Sequence, residues 1–159
     1  MRLVIAEQRD GRLNRASIEA ITAAQQAGLS RRSGEAAKAE GPLKIVLAGA
    51  ALDAVAAELA AFEADEVVVV ESPALEHYTA DGYVTALAAL IGAEAPSHVF
   101  FPHTYQTRDF APALAARLQR ALITDVTAIH INDGSATYTR PVFQGRWLPT
   151  SRPRDRRRI

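Results

Sequence analysis

The feature that most constrains this chain is the repeated alternation of short apolar runs with stretches of helical periodicity. Four runs are rich in valine, isoleucine, leucine or phenylalanine: residues 3–6, 44–48, 67–70 and 98–101. Each is followed by a stretch whose apolar residues recur at helical spacing. Alternating strands and helices favour a parallel sheet with helices on both faces, because connections between parallel strands are right-handed. The sequence therefore predicts an α/β protein, a three-layer α/β/α Rossmann-like domain with a mostly parallel sheet.

The predicted helices have apolar stripes and defined ends. The first runs from a cap at Asn14 to Gln26 and ends at Gly28. In the fourth, Asp109 is expected to be the N-cap, which places Pro112 in the first turn, where a missing N–H costs little. The stripes of the last three helices consist of Leu52, Val55, Leu59 and Phe62, then Tyr83, Leu87, Leu90 and Ile91, then Phe110, Leu114 and Leu118.

Three other segments carry local signals. Residues 30–41 are polar and glycine-bounded, which predicts a surface loop. Residues 67–70 are four valines in a row, a pattern that suits a parallel strand buried on both faces. Near the C-terminus, alternating segments flank an Asn-Asp-Gly turn signal at 132–134. This last pattern predicts an antiparallel strand pair that extends the sheet.

Length and composition narrow the class of protein. A chain of 159 residues suits one domain, and the absence of cysteine removes disulfides, thiolate catalysis and cysteine-ligated metals. No apolar run approaches the roughly 20 residues that span a bilayer. The run at 3–6 is too short for a signal peptide, and acidic Glu7 follows it directly. We expect a cytoplasmic protein without membrane insertion.

The net charge of zero hides an asymmetry along the chain. Six of the 18 basic residues lie in residues 146–159 beside one acidic residue, which leaves 12 basic and 17 acidic residues in the rest. An acidic body is a poor basis for nucleic-acid binding. The tail, RWLPTSRPRDRRRI, has three possible interpretations: a phosphate-binding arm, a solvated disordered end, or an aberrant end that follows truncation or a change of frame.

Motifs for catalysis and metal binding are absent from the sequence. It has no G-x-G-x-x-G, no P-loop and no G-x-S-x-G elbow, and Gly49 after the second strand is more typical of a tight turn than of a phosphate cradle. The histidines do not form an i, i+4 pair that would suggest a metal site. The acidic residues Glu63, Asp65 and Glu66 are interpreted as a solvated loop. We expect neither catalytic nor metal-binding residues.

The most informative polar segment is 103–109, which follows the fourth strand and leads into a helix. Ligands of open α/β sheets bind beyond the carboxyl ends of strands, and helix N-termini favour anions. Arg108 suits a phosphate or a partner carboxylate, and Tyr105 suits stacking. The alternative, which the lack of a glycine favours, is that Asp109 caps the helix while the rest packs against a partner subunit. The candidate cofactor-binding residues are Thr104, Tyr105, Gln106, Thr107 and Arg108.

Four segments together resemble one known family. They are LVIAEQRDGRLNRASIEAI at 3–21, AGAALDAVAAELA at 48–60, HTYQTRDFAPALAARLQRALITDVTAI at 103–129 and TRPVFQG at 139–145. They are similar to the alpha subunit of electron transfer flavoproteins, and the third segment is the most specific. The resemblance covers residues 1–145, so we expect a first domain there and a separate tail at 146–159. The break after Gly145 favours the aberrant-end interpretation of the tail.

The resemblance implies a function for the assembled protein. Members of this family are heterodimers of alpha and beta subunits whose FAD carries electrons from acyl-CoA and related dehydrogenases to a quinone reductase, as in fatty acid oxidation. The FAD lies mainly on a second, C-terminal domain of the alpha subunit, which we expect to be missing here. The first domain packs with the beta subunit. By resemblance, the chain is an electron-carrier subunit and not an enzyme, and alone it is not expected to bind FAD tightly.

Two other functions compete with this one. The first is a nucleotide-binding α/β domain of the adenine-nucleotide-hydrolase type. Such domains often carry a Ser-Gly-Gly-rich loop after the first strand, whereas residues 7–11 here read EQRDG. The second is a nucleic-acid-binding accessory protein that uses the arginine-rich tail.

Overall fold

The computed structural model describes residues 1–27, 29–30, 38–39, 41–132, 135–141 and 150–151. Its elements follow in chain order: β1 (Arg2–Ala6), β2 (Gln8–Arg9), β3 (Arg12–Leu13), α1 (Arg15–Ala27), β4 (Leu29–Ser30), β5 (Lys38–Ala39), β6 (Leu43–Gly49), α2 (Asp53–Leu59), β7 (Glu66–Glu71), a 3-10 turn (Pro73–Leu75), α3 (Ala80–Glu94), β8 (His98–Phe100), α4 (Tyr105–Arg117), β9 (Ala128–Asn132), β10 (Ser135–Thr139) and β11 (Thr150–Ser151).

The central sheet has the strand order β7-β6-β1-β8, and its strands are parallel. Val4 in β1 pairs with Ile45 on one side and Phe100 on the other. The chain moves outward from β1 through β6 to β7 and then returns to the other side of β1 for β8. The point between β1 and β8 is therefore the topological switch point, beside which ligands of such folds bind. The predicted parallel sheet is confirmed.

Two hydrophobic clusters cover the two faces of the sheet. Leu3 and Ile5 of β1 point into a cluster that includes residues of α3 and α4. Val4 and Ala6 point to the opposite face, where α1 and α2 pack. Fully burying one such aliphatic side chain stabilises the fold by about 1.5–3 kcal/mol. Alternate residues of one buried strand thus hold three layers together, as the sequence predicts.

Strand β7 corrects one expectation, because it lies at the edge of the sheet. All four of its valines keep some exposure, and the side chain of Val69 is 42% exposed. The prediction of burial on both faces is wrong. Among the described residues β7 pairs only with β6, and the neighbouring helix α2 has just seven residues to cover that face.

Helix α4 begins earlier than expected. Its N-cap is Thr104, whose Oγ1 accepts the N–H of Thr107 at 3.1 Å, so the prediction that Asp109 caps the helix is wrong. Pro112 consequently lies in the helix interior and not in the first turn. A proline there removes the hydrogen bond that would reach the carbonyl of Arg108.

The C-terminal strands form a sheet of their own. Strands β9 and β10 are antiparallel, as predicted, with His130 opposite Thr137. Together with β11 they make a separate three-stranded sheet, so they do not extend the parallel one. The predicted turn residues 133–134 lie outside the described residues. Strand β11 pairs with β10 and belongs to the predicted tail, of which residues 150–151 are the described part.

The predicted loop at 30–41 also contains regular structure. Strands β4 and β5 form a short antiparallel pair, in which Leu29 lies opposite Ala39. Residues 31–37 and 40 lie outside the described residues. Across the part of the chain that the structure describes, no helix combines the length and the apolar character needed to cross a bilayer.

Candidate functional site

The carboxyl edge of the sheet at the switch point is built around Glu7 and Thr104. Glu7 directly follows β1, and Thr104 lies between the end of β8 and the start of α4. The hydroxyl of Thr104 donates a hydrogen bond to Oε2 of Glu7. Its oxygen also accepts the N–H of Thr107, so one hydroxyl serves the carboxylate and the helix cap together. This contact joins the two strands on either side of the switch point.

Glu7 makes further contacts with the start of α1. Its Oε1 accepts from Nδ2 of Asn14 at 2.8 Å, and its carbonyl accepts the N–H of Asn14 at 2.8 Å. Its own N–H donates to Oγ of the buried Ser17 at 2.9 Å. Asn14 in turn caps α1, because its Oδ1 accepts the N–H of Ala16 at 3.0 Å. Both carboxylate oxygens and both backbone polar groups of Glu7 are therefore engaged by protein atoms.

Side chains also occupy the space beside the loop after β6. Gly49 has a φ of 154°, and a Cβ added there would lie 3.1 Å from Nε2 of Gln8 and 3.1 Å from a methyl of Leu52. The side chain of Gln8 thus approaches the only glycine of this loop. With the Glu7 carboxylate beside it, this edge does not fit the pyrophosphate of a dinucleotide, which needs donors and open backbone rather than a negative charge.

The five candidate residues at 104–108 are divided between two faces of α4. Thr104 and Thr107 point inward, and Thr107 is buried. Gln106 is half-buried, and its carbonyl accepts from the hydroxyl of Tyr78 at 3.3 Å. Tyr105 points outward with 89% exposure, and Cζ of Arg108 lies 5.9 Å from the centroid of its ring. The cofactor-binding role of the five residues stays a prediction.

Beside α4, Asp109 has a different role from the expected cap. Its Oδ2 accepts from the hydroxyl of Tyr78 at 2.7 Å. Burial, and then this hydrogen bond to Asp109, raises the pKa of Tyr78. The neighbouring Tyr83 donates to the carbonyl of Ala48 at 3.0 Å, and burial is the main reason that its pKa is raised. Both phenols are therefore protonated donors that tie the helical layer together.

The acidic cluster of Glu63, Asp65 and Glu66 lies at the amino end of β7, opposite to the carboxyl edge that contains the switch point. Glu66 pairs with Lys44 at 2.9 Å, and Lys44 also pairs with Glu94 at 2.9 Å. The hydrogen bond to Glu66, and then that to Glu94, raises the pKa of Lys44. Oδ2 of Asp65 accepts the N–H of Leu43 at 2.7 Å. The cluster is exposed, as the interpretation of a solvated loop requires, but two of its carboxylates also hold the strands β6 and β7 in place.

Two of the histidines have defined surroundings. Nε2 of His103 lies 3.1 Å from Oδ1 of Asp125, and both side chains are exposed. Burial, and then the nearby N-terminal amine, lowers the pKa of His98. Within the described ranges, no group of three histidine, aspartate or glutamate side chains is arranged to hold a metal ion.

Comparison with known proteins decides the family. The family model of the electron transfer flavoprotein domain matches residues 2–156. The chain belongs to the electron transfer flavoprotein family. It is 37% identical over 144 residues to the electron transfer flavoprotein subunit alpha of Bacillus subtilis, covering 91% of this chain and 41% of that protein. The corresponding subunit of Syntrophomonas wolfei is 32% identical over 145 residues, covering 91% of this chain and 42% of that protein.

A relative with a different name extends the comparison. The acryloyl-CoA reductase electron transfer subunit beta of Anaerotignum propionicum is 33% identical over 129 residues, covering 81% of this chain and 33% of that protein. The chain spans about two fifths of the length of the alpha subunits that it matches. The names are those of electron-carrier subunits and not of enzymes, as the sequence predicts. The family match continues past Gly145, and the domain boundary there stays a prediction.

Glu7 is the residue of this site that the sequence reasoning missed. Its residue type and position argue against a signal peptide and against a nucleotide-hydrolase loop, but they assign it no place in a site. A usable signal was present: a carboxylate directly follows the first strand, and the first turn of α1 contains no acidic residue of its own. A helix N-terminus without a local negative charge is a place to look for one supplied from elsewhere in the chain.

Proposed function

We propose that this chain is the N-terminal domain of an electron transfer flavoprotein alpha subunit and that it acts in docking to a beta-type subunit. The assembled protein would carry electrons on FAD from acyl-CoA or related dehydrogenases towards a respiratory acceptor, in the cytoplasm. Family membership and the alpha-subunit relatives support the class of protein. The docking role and the dehydrogenase partners are the part that goes beyond them.

The observation that carries the docking role is the exposed pair Tyr105 and Arg108 on the first turns of α4. The Tyr105 side chain is 89% exposed, and the Arg108 guanidinium lies against its ring. A partner that covered this ring would stabilise the complex by about 25 cal/mol for each Å² of apolar surface removed from water. Tyrosine and arginine are also among the residues that most often dominate binding energy at interfaces. Their position suits contact with a partner subunit.

The proposal places the FAD outside this domain. At the switch point, the Glu7 carboxylate and the Gln8 side chain occupy the edge where a pyrophosphate would need donors. We therefore expect the chain alone not to retain FAD. Incubation with excess FAD, desalting and a visible spectrum test this, and stoichiometric retained flavin absorbance would contradict it.

The docking role is tested by co-expression with a beta-type subunit from the same genome, followed by size-exclusion chromatography. The chain should elute with that subunit. Tyr105→Ala should weaken the complex by roughly tenfold or more, as for a typical interface hot spot. Ile18→Ala is the matched control, because Ile18 is an exposed apolar residue, 39% exposed, on a different helix.

Two outcomes separate the parts of this proposal. If the wild-type chain elutes alone as a monomer beside the beta-type subunit, the docking role is wrong. If the complex forms and Tyr105→Ala binds as tightly as Ile18→Ala, the docking role stands and the surface at the start of α4 is not part of it.

A further inference from the structure

The helices that begin at the carboxyl edge differ in whether their own first turn contains an acidic residue. The first turn of α2 contains Asp53, and the first turn of α3 contains Asp81. The first turns of α1 and α4 contain no acidic residue. Each helix N-terminus carries a partial positive charge of about half an elementary charge, which a nearby anion stabilises. The two helices without a local carboxylate are those that flank the switch point.

The carboxylate of Glu7 lies between these two N-termini. Oε1 accepts from Asn14, the N-cap residue of α1, and Oε2 accepts from Thr104, the N-cap of α4. One carboxylate is thus bound by the capping side chains of two helices, although Thr104 lies 97 residues from Glu7 along the chain. A free anion seated at a pair of helix N-termini would be held by the same types of donor.

We propose that Glu7 is the resident anion of this switch point: its carboxylate takes the position of an anionic ligand, closes the edge to phosphates, and stabilises the starts of α1 and α4 together. This role of Glu7 goes beyond the docking role of the domain and does not depend on it. It also implies that the donors of Asn14 and Thr104 form a carboxylate site whose occupant is supplied by the chain itself.

The variant Glu7→Ala should leave an unoccupied carboxylate site at this edge. Glu7→Ala removes a methylene and a carboxylate, which correspond to acetate less one hydrogen. The capping side chains remain, so acetate should bind in the place of the lost group. Because a ligand that binds only the folded state raises stability with its concentration, acetate should raise the melting temperature of Glu7→Ala in a saturable manner.

The experiment compares thermal unfolding in sodium acetate and sodium chloride at equal ionic strength and neutral pH. Glu7→Ala should melt below the wild type, and acetate should restore part of the loss. The wild type and Glu58→Ala should show only the smaller, general stabilisation that acetate gives relative to chloride, since Glu58 is an exposed residue on α2 away from this edge. Adding Thr104→Val to Glu7→Ala should abolish the rescue. An acetate effect on Glu7→Ala no larger than that on Glu58→Ala overturns the proposal.

A second measurement keeps the test decisive if Glu7→Ala does not fold. In the wild type, titration with inorganic phosphate followed by amide NMR should leave Ala16 and Thr107 unshifted, because Glu7 already occupies the edge. Their N–H groups donate to the two capping side chains, so they report directly on this position. Saturable shifts of both amides in the wild type would show that the edge is open, and the proposal would be wrong.

Discussion

The hydroxyl of Tyr78 donates to the carboxylate of Asp109 over 2.7 Å, and this bond ties the segment before α3 to the second turn of α4. The two residues are 31 positions apart, and the Tyr78 ring also meets the edge of Tyr83 at a centroid distance of 5.1 Å. The contact therefore adds to the apolar packing between α3 and α4 and to the hydrogen bond that Arg117 of α4 donates to Thr85 of α3.

Removing this hydroxyl should cost measurable stability. Tyr78→Phe keeps the ring and loses the charge-assisted hydrogen bond. Because the side chain is 37% exposed, we expect about 1 kcal/mol, below the range for buried bonds to charged groups. Urea unfolding measures the loss. A double-mutant cycle with Asp109→Ala should give a coupling energy well above zero, and additive effects would refute the link.

The raised tyrosine pKa values predict destabilisation in alkali. The pKa of Tyr78 is raised above the ordinary value of 10.0, so the folded state holds its proton more tightly than the unfolded state. This contribution is fully present below pH 10 and is lost as the pH rises through the folded pKa. The free energy of unfolding should therefore fall above about pH 10, and less steeply in Tyr78→Phe. Equal slopes in the two proteins, measured by urea unfolding at each pH, would contradict the assignment.

The cap of α4 predicts an ordered series at one position. Thr104→Ser keeps the hydroxyl that both caps the helix and donates to Glu7, so its stability should be close to that of the wild type. Thr104→Val keeps the shape and loses both bonds, at a cost of about 1–2 kcal/mol. Chemical denaturation of the two variants provides the comparison, and similar stability of serine and valine would show that Thr104 is not the cap.

The interior position of Pro112 predicts a stabilising substitution. Pro112 is exposed and lies well inside α4. Pro112→Ala restores an N–H for the carbonyl of Arg108 and removes the ring from the helix, so the free energy of unfolding should rise by roughly 1 kcal/mol or more. Thermal unfolding measures it, with Ala113→Gly as a control that should lower stability. Had Pro112 been in the first turn, as the sequence suggested, its replacement would bring little gain.

The parts of the fold that the sequence predicted are those set by local pattern. The apolar runs place the four parallel strands because buried strands have few alternatives, and Asn14 places the start of α1. Residue type alone does not determine the start of α4. Thr104 and Asp109 are both good caps by residue type, and the cap that forms, Thr104, also donates to Glu7, which is 97 residues away.

Other features depend on which elements lie beside each other in the fold, and local sequence patterns do not determine this. A run of four valines suits a central strand and an edge strand alike, so the exposure of Val69 depends on the strand order and on the short helix α2 beside it. In the sequence, the candidate residues 104–108 form one continuous polar segment. A helical turn instead points Thr104 and Thr107 inward and Tyr105 and Arg108 outward, because residues three apart share a face.

The edge position of β7 bears on how the protein behaves at high concentration. Four consecutive valines at an open edge are the kind of segment that nucleates strand addition between molecules. Here the run is bracketed by Glu66 and Glu71. If two copies paired antiparallel about the centre of the run, each Glu66 would face a Glu71, and the two like-charge contacts would oppose growth. These glutamates thus favour a dispersed solution, a contribution that measurements of folding stability would not detect.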